Sequence, residues 1–296
     1  FPTYQGTAYQ FEFHVSVEQS AVAHTVARGP TGQGKTTLYS FLAGQSLRFD
    51  DLKVFFFDRH RGAEIFTYSA GGSYINFEGD TKDKDVQKGG TLTYLNPFRI
   101  DDTPENRAFL RRWLKEITLV DDANSEAEIA RAVTTAFDYL EPNKRTLKNL
   151  YKSCFSPAGK MRRELFRWVD DSQYGQLFNS EADSLDLSNR FNTFDFTYIF
   201  EDETLAPAVV SYIMNRIQNI TGRTGAPSLI IIDETAPMLA NPVFRQNFVI
   251  GLQEGRKKRQ AYLAAFQQPN VLDKLGIGEV IRGQCQTQIF FRNVQA

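Results

Sequence analysis

Cysteine and histidine are scarce in this 296-residue chain, which carries two of the first and three of the second. Cys154 and Cys285 lie far apart and match neither a metal-ligand nor a disulfide spacing. They read as reduced, buried small apolar residues, an expectation that goes with the cytosol. With only His14, His24 and His60 available, a histidine-built metal centre is not expected. His14 falls on the polar face of an alternating stretch, where solvent is its natural partner. His24 lies inside an apolar run and is expected as a satisfied core residue.

Charge of one sign is lacking too. Lys and Arg total 34 against 35 Asp and Glu, a formal net charge of −1. No global basic field therefore draws nucleic acid or membranes, although a local basic surface is compatible with that balance. No apolar run approaches the ~20 residues that cross a bilayer, and no signal peptide is read at the start. The chain opens on Phe1 rather than Met, and the expectation is a piece of a longer protein. What remains is ordinary globular composition, 42% hydrophobic and 23% charged, long enough for one large core or a core plus a subdomain.

The stretch with the most chemistry is Gly29-Pro30-Thr31-Gly32-Gln33-Gly34-Lys35-Thr36-Thr37, which fits G-x-x-x-x-G-K-[ST]. Glycines let the backbone wrap a polyphosphate, so that successive N–H groups meet its oxygens. Lys35 is expected on the β/γ-phosphates and the Thr36 hydroxyl on Mg²⁺. The context agrees: residues 21–27 read as a buried strand and residues 37–43 as a helix, whose N-terminus adds positive potential beneath the phosphates. The nine residues Gly29 to Thr37 are thus the candidate nucleotide cradle.

The rest of the chain alternates strands and helices around a helical stretch. Residues 11–17 alternate as a half-buried strand. Residues 53–58 form a continuous apolar run ending in Asp58, as suits a parallel strand covered on both faces. Asp58 would sit on the edge where open α/β sheets collect ligands, and Arg59, His60, Arg61 and Glu64 add charges there; a polar loop with a helix cap is the competing reading. Residues 74–77 and 91–94 are further candidate strands, separated by Gly pairs and the polar segment 80–85. Helical spacing begins after Asp102-Thr103-Pro104 with Phe109, Leu110, Trp113, Leu114 and Ile117. Ser125 to Glu128 reads as a capping box before the stripe Ile129, Ala132, Val133, Ala136, Phe137 and Leu140. Shorter helices are expected near 146–152 and 158–169. A strand is predicted over 194–200, a helix over 206–220, and strands over 261–266 and 287–291. The expected fold is α/β: a RecA-like P-loop domain with a mostly parallel sheet, residues 1–98 and 191–296 being its two parts and residues 99–190 an inserted, mostly helical subdomain.

The second anchor is Ser228-Leu-Ile-Ile-Ile-Asp233-Glu234. A buried strand ending in two carboxylates, expected beside the P-loop strand, fits Walker B. Asp233 would hold Mg²⁺ and Glu234 would polarise the attacking water as general base. Residues 241–254 read as a helix ending in Gly255-Arg256-Lys257-Lys258-Arg259. Arg256 and Arg259 either complement the helix dipole or reach a neighbouring subunit's nucleotide. Gln267, at a strand end before Gln268-Pro269, is a candidate sensor of the γ-phosphate or a plain turn residue.

Several segments together resemble a known family: Ala23-His24-Thr25, the P-loop, Leu95-Asn-Pro-Phe98, Gly175-Gln-Leu-Phe178, Phe194-Asp195, Ile232-Asp-Glu234, Gly255-Arg-Lys-Lys258 and Ala265-Phe-Gln267. In this order they are similar to the ATPase of type IV secretion and conjugation machines, the VirB-four, TraC and CagE family of the HerA–FtsK group. The resemblance implies ATP and Mg²⁺ as ligands and Lys35, Thr36, Asp233, Glu234 and Gln267 in the roles above. It further implies a hexamer of the full-length protein, other secretion ATPases and inner-membrane components as partners, and a cytoplasmic position at the inner membrane. Two other functions compete with a secretion ATPase: a DNA-translocating motor or coupling protein of the same group, and a scaffold that binds nucleotide without turnover.

Overall fold

The computed structural model describes residues 6–7, 23–77, 93–169, 174–267 and 270–292. The expected strand at 11–17 and the polar segment 80–85 lie outside them. In chain order the elements are β1 (Thr25–Arg28), α1 (Lys35–Ser46), β2 (Lys53–Asp58), α2 (Glu64–Ser69), β3 (Ser73–Asn76), α3 (Pro104–Thr118), α4 (Ala123–Asp138), α5 (Leu147–Ser153), α6 (Lys160–Leu165) and α7 (Gly175–Phe178). There follow β4 (Phe191–Asp195), α8 (Leu205–Thr224), β5 (Ser228–Ile232), α9 (Thr235–Ala240), α10 (Pro242–Glu254), β6 (Gln260–Phe266), α11 (Asn270–Lys274), α12 (Gly278–Gln284) and β7 (Thr287–Phe290).

One seven-stranded sheet runs β3-β4-β2-β5-β6-β1-β7. The pairings of β2 with β5, β5 with β6, β6 with β1 and β1 with β7 are all parallel. Their C-terminal ends therefore share one edge, which is where loops gather ligands in such sheets. The continuous apolar runs are continuous because both faces are covered. Val54, Phe55, Phe56 and Phe57 of β2 are fully buried, and β5 and β6 are buried along their whole length. Each such phenylalanine contributes about 2–3 kcal/mol on leaving water.

The chain divides into two compact units. The first, Phe1–Ser73, Arg190–Thr193 and Thr221–Ala296, holds β1, β2, β5, β6 and β7. His24 is buried there, as expected. Its Nδ1 accepts from the Tyr262 amide at 3.0 Å, which leaves Nε2 to donate to the Leu252 carbonyl at 2.9 Å. Cys285 is buried in this unit.

The second unit, Tyr74–Asn189 and Phe194–Ile220, is mostly helical. Trp113, Trp168, Phe98 and Phe178 are buried against one another at its centre. The indoles donate to the carbonyls of Ala208 and Ile117, so neither leaves a buried N–H unmatched. Asn96 is fully buried. Its Oδ1 accepts from the Phe98 amide at 3.1 Å, and its Nδ2 donates to the carbonyls of Arg145 and Ser180 at 3.0 and 2.9 Å.

Three local expectations need correcting. The N-cap of α4 is Asp122, whose carboxylate accepts from both the amide and the hydroxyl of Ser125, so Ser125 lies inside the first turn. A carboxylate there also meets the positive end of the helix dipole, and it outcompetes the serine. The strand expected over 194–200 is β4 at Phe191–Asp195: Asp195 Oδ1 accepts from the Thr197 amide and hydroxyl, an Asx-type turn that ends the strand. Thr93 and Tyr94 are not in a strand; the Tyr94 amide is taken by the Ser184 hydroxyl instead.

Candidate nucleotide site

The loop Gly29–Gly34 leaves the end of β1, where the Gly29 amide donates to the Phe266 carbonyl at 3.0 Å. Gly32 and Gly34 hold φ of +79° and +86°, left-handed values that other residues adopt only at a cost. Gly34 is the N-cap of α1 and supplies no side-chain cap, and the first turn of α1 holds no acidic residue. By contrast α3, α4, α5 and α10 are capped by Thr103, Asp122, Thr146 and Asn241. The first-turn amides of α1 are thus left without a side-chain acceptor, the arrangement that suits an anion.

Lys35, 8% exposed, donates from Nζ to the carbonyls of Gly29 and Pro30, each at 2.7 Å. Burial lowers its pKa, and the charges of Asp233 and Glu234 oppose that shift. Thr36 Oγ1 donates to Asp233 Oδ2 at 2.5 Å. Asp233 is 5% exposed. Its burial raises its pKa, against the Thr36 hydrogen bond and the Glu234 amide, which donates to Oδ1 at 3.1 Å. The P-loop threonine and the β5 carboxylate therefore meet in one cluster of hard oxygen donors, the chemistry Mg²⁺ prefers.

The expectation that β5 lies beside the P-loop strand is not met: β6 stands between them. Two strand spacings, about 9.6 Å, separate β1 from β5, and the Thr36 side chain at the head of α1 closes that gap. Gln267 is the exposed first residue past the end of β6, on the edge between the two anchors; Gln268 and Pro269 lie outside the described residues.

Glu234 has φ +52°, ψ +51° and precedes α9. Its Oε2 is 3.9 Å from Arg59 Nη1 and 3.9 Å from His60 Nε2. Neither contact was read from the sequence, where Arg59 and His60 counted only as rim charges. No sequence signal gives them, because they follow from strand register: Phe57 pairs with Ile232 and the Asp233 amide donates to the Phe57 carbonyl at 3.1 Å, so the residues after each strand converge. Asp58 is fully buried and its Oδ2 accepts from the Ala63 amide at 2.9 Å, which ties the loop to the strand end; Ala63 is the N-cap of α2 and no side chain caps that helix.

Arg256 and Arg259 sit elsewhere. They precede β6, at its N-terminal end, about 20 Å of strand away from Gln267. Arg259 has φ +54° and donates to the Gly225 carbonyl at 2.9 Å. Arg256 is exposed and makes no side-chain hydrogen bond or ion pair among the described residues. Gly255 is held by close approach: a Cβ there would lie 2.6 Å from His24 Cε1 and 2.8 Å from the Gln260 carbonyl oxygen.

A parallel sheet with a P-loop on one strand and an Asp-Glu pair two strands away defines a RecA-like P-loop nucleotide-binding fold. Within that class, the chain is similar along its whole length to type IV secretion system and conjugal transfer proteins. It is 29% identical over 299 residues to the type IV secretion system protein virB4 of Bartonella henselae, covering 99% of this chain and 36% of the relative. To the conjugal transfer protein TrbE of Rhizobium radiobacter it is 28% identical over 297 residues, covering 99% and 35%. The chain thus spans about a third of the length of these relatives. Among solved structures, VirB4 of Thermoanaerobacter pseudethanolicus matches with a TM-score of 0.73 at 14% identity, over 99% of this chain and 83% of that one. The plasmid coupling protein TrwB in complex with ADP and Mg²⁺ matches with a TM-score of 0.55 at 13% identity, over 90% and 69%. No profile of a described protein family matches the sequence. Among the described residues, no helix is long and apolar enough to cross a membrane.

Proposed function

We propose that this chain is the ATP-hydrolysing part of a type IV secretion or conjugation motor, whose turnover drives assembly of the channel or transfer through it. The observation that carries this reading is the hydrogen bond of Thr36 to Asp233, which unites the P-loop with the acidic strand end. Bound ATP with Mg²⁺ supplies a reactive γ-phosphoryl group and a charge that offsets the buried Asp233 carboxylate. Thr36 and Asp233 hold the metal, directly or through water. Lys35 moves from its loop carbonyls to the β/γ-phosphates, and the amides of Gly32 to Thr37 cradle the oxygens. Glu234 orients and polarises the water, and Gln267 reads the terminal phosphate from the neighbouring strand end.

The roles of Arg256 and Arg259 belong to the assembly. They lie at the far end of β6 from this chain's own P-loop, which supports action in trans on a second subunit of a hexamer, with other secretion ATPases and inner-membrane components as further partners at the cytoplasmic face. The coupling-protein reading draws on the TrwB likeness, at a lower TM-score than that of VirB4. A local basic surface for nucleic acid would then show as salt-sensitive stimulation by DNA. Mg²⁺-dependent ATP turnover by the intact protein, measured against concentration, tests the main reading. Turnover is expected to rise as subunits assemble, and Glu234→Gln is expected to bind ATP without cleaving it. Nucleotide binding with no turnover at any concentration would establish the scaffold instead.

A further inference from the structure

We infer that Arg59 is a positioning residue for Glu234, holding the water-activating carboxylate in place without occupying it; this rests on the ATPase reading above. The guanidinium Nη1 lies 3.9 Å from Glu234 Oε2, within ion-pair range but beyond hydrogen-bond reach. The carboxylate oxygen is therefore attracted and oriented while its lone pairs stay available to accept from a water. A direct bidentate pair, the usual Arg–carboxylate geometry, would consume them.

Three features set Arg59 apart from a rim charge. Its side chain is only 16% exposed, against 62% for His60, so the arginine, whose guanidinium is always charged, is the less screened of the two groups beside that oxygen. Its Nε is buried with no hydrogen-bond partner among the described residues, so that donor is not committed to holding the scaffold. The backbone on both sides of the contact is strained: His60, Arg61 and Glu234 have φ of +59°, +57° and +52°. Non-glycine residues in that region cost about 1–3 kcal/mol each and persist where the surroundings over-determine them. Those surroundings include the Asp58 carboxylate bonded to the Ala63 amide and the Phe57 carbonyl bonded to the Asp233 amide. The loop after β2 and the turn after β5 are thereby clamped with Arg59 facing Glu234.

The test is made on the intact protein with ATP and Mg²⁺. Arg59→Gln is expected to lower kcat about 10–100-fold while KM stays within about threefold, the pattern of lost orientation rather than lost binding. Arg59→Lys keeps the charge and is expected to recover part of that loss. Single-turnover measurements with excess protein read the trace of cleavage that survives Glu234→Gln when steady turnover is lost, and Arg59→Gln is expected to take nothing further from it, because the two residues act as one unit. A wild-type kcat in Arg59→Gln, a raised KM at unchanged kcat, no gain from lysine, or additive losses would each overturn the inference. If the wild-type protein hydrolyses no ATP, the ATPase reading itself fails and a crystal structure of Arg59→Gln decides this one. A Glu234 carboxylate displaced by about 1 Å or more supports the positioning role, and an unmoved carboxylate ends it.

Discussion

Thr36 and Asp233 are 197 positions apart in sequence, and their side chains meet at 2.5 Å. The threonine reaches across the strand that separates the two anchors and donates to a carboxylate whose burial makes its charge costly. A divalent cation at this pair, as proposed above, would relieve that cost. Asp233→Asn is accordingly expected to remove the Mg²⁺ dependence of nucleotide affinity, so that calorimetric titrations with metal and with chelator coincide. Turnover should fall about 100-fold or more as the charge that fixes the metal is lost.

Lys35→Ala should weaken nucleotide binding about 10–100-fold, as expected for the loss of charge-assisted hydrogen bonds worth about 1.5–3 kcal/mol. Nucleotide titration by calorimetry checks it. An affinity equal to that of the wild type would mean that the loop amides alone bind the phosphates.

Asn96→Ala removes an amide that accepts from Phe98 and donates to Arg145 and Ser180 in a fully buried position. Backbone groups left unmatched there cost about 1–3 kcal/mol each, so a loss of about 3 kcal/mol is expected in urea denaturation. The Asn-Pro-Phe segment would then owe its identity to packing rather than to contact with nucleotide.

Glu116 supplies a pH test. Burial raises its pKa above the ordinary 4.5, against the Ser211 hydroxyl, which donates to it at 2.6 Å, and the Arg112 charge. The native state therefore takes up this proton more readily than the unfolded chain does. The stability it contributes is complete below about pH 4.5 and is lost as pH rises through the raised native value. Glu116→Gln keeps an acceptor for Ser211 without the charge. It should melt above the wild type at pH 7, with the difference closing toward pH 4 in thermal scans.

The two arginines should separate cleanly. Arg259→Ala loses its bond to the Gly225 carbonyl and should cost about 0.5–1.5 kcal/mol of stability. Arg256→Ala should leave melting unchanged within about 0.5 kcal/mol. If Arg256 acts in trans, the same variant lowers turnover about 10³-fold or more at concentrations where subunits assemble.

Strands β1, β2, β5, β6 and β7 and the P-loop were legible in the sequence because their signals are local, whereas β4 starts three residues before its expected place and residues 93 and 94 are not in a strand. Phe55-Phe56-Phe57 and Ile230-Ile231-Ile232 announce covered strands, and the Gly34-Lys35-Thr36 run carries its chemistry in its spacing. Strand order was not legible. Nothing in residues 228–234 states that β6, which comes later in the chain, inserts between them and β1. The Arg59–Glu234 contact was hidden for the same reason, since it exists only once β2 and β5 pair in register. The displaced cap at Asp122 was a contest between two good capping residues, settled by a carboxylate that binds both groups of Ser125.

Strand β6 runs from the basic turn Gly255–Arg259 to Gln267, buried at every one of its seven residues. It pairs with β5 on one side and β1 on the other, so it cannot bend without breaking two ladders. Its N-terminal end is pinned by His24, whose imidazole joins the Tyr262 amide to the carbonyl of Leu252. The strand spans about 20 Å. One end is exposed to whatever touches Arg256, and the other ends on the rim between Thr36 and Glu234. The basic turn and the nucleotide rim are thus the two ends of one buried strand.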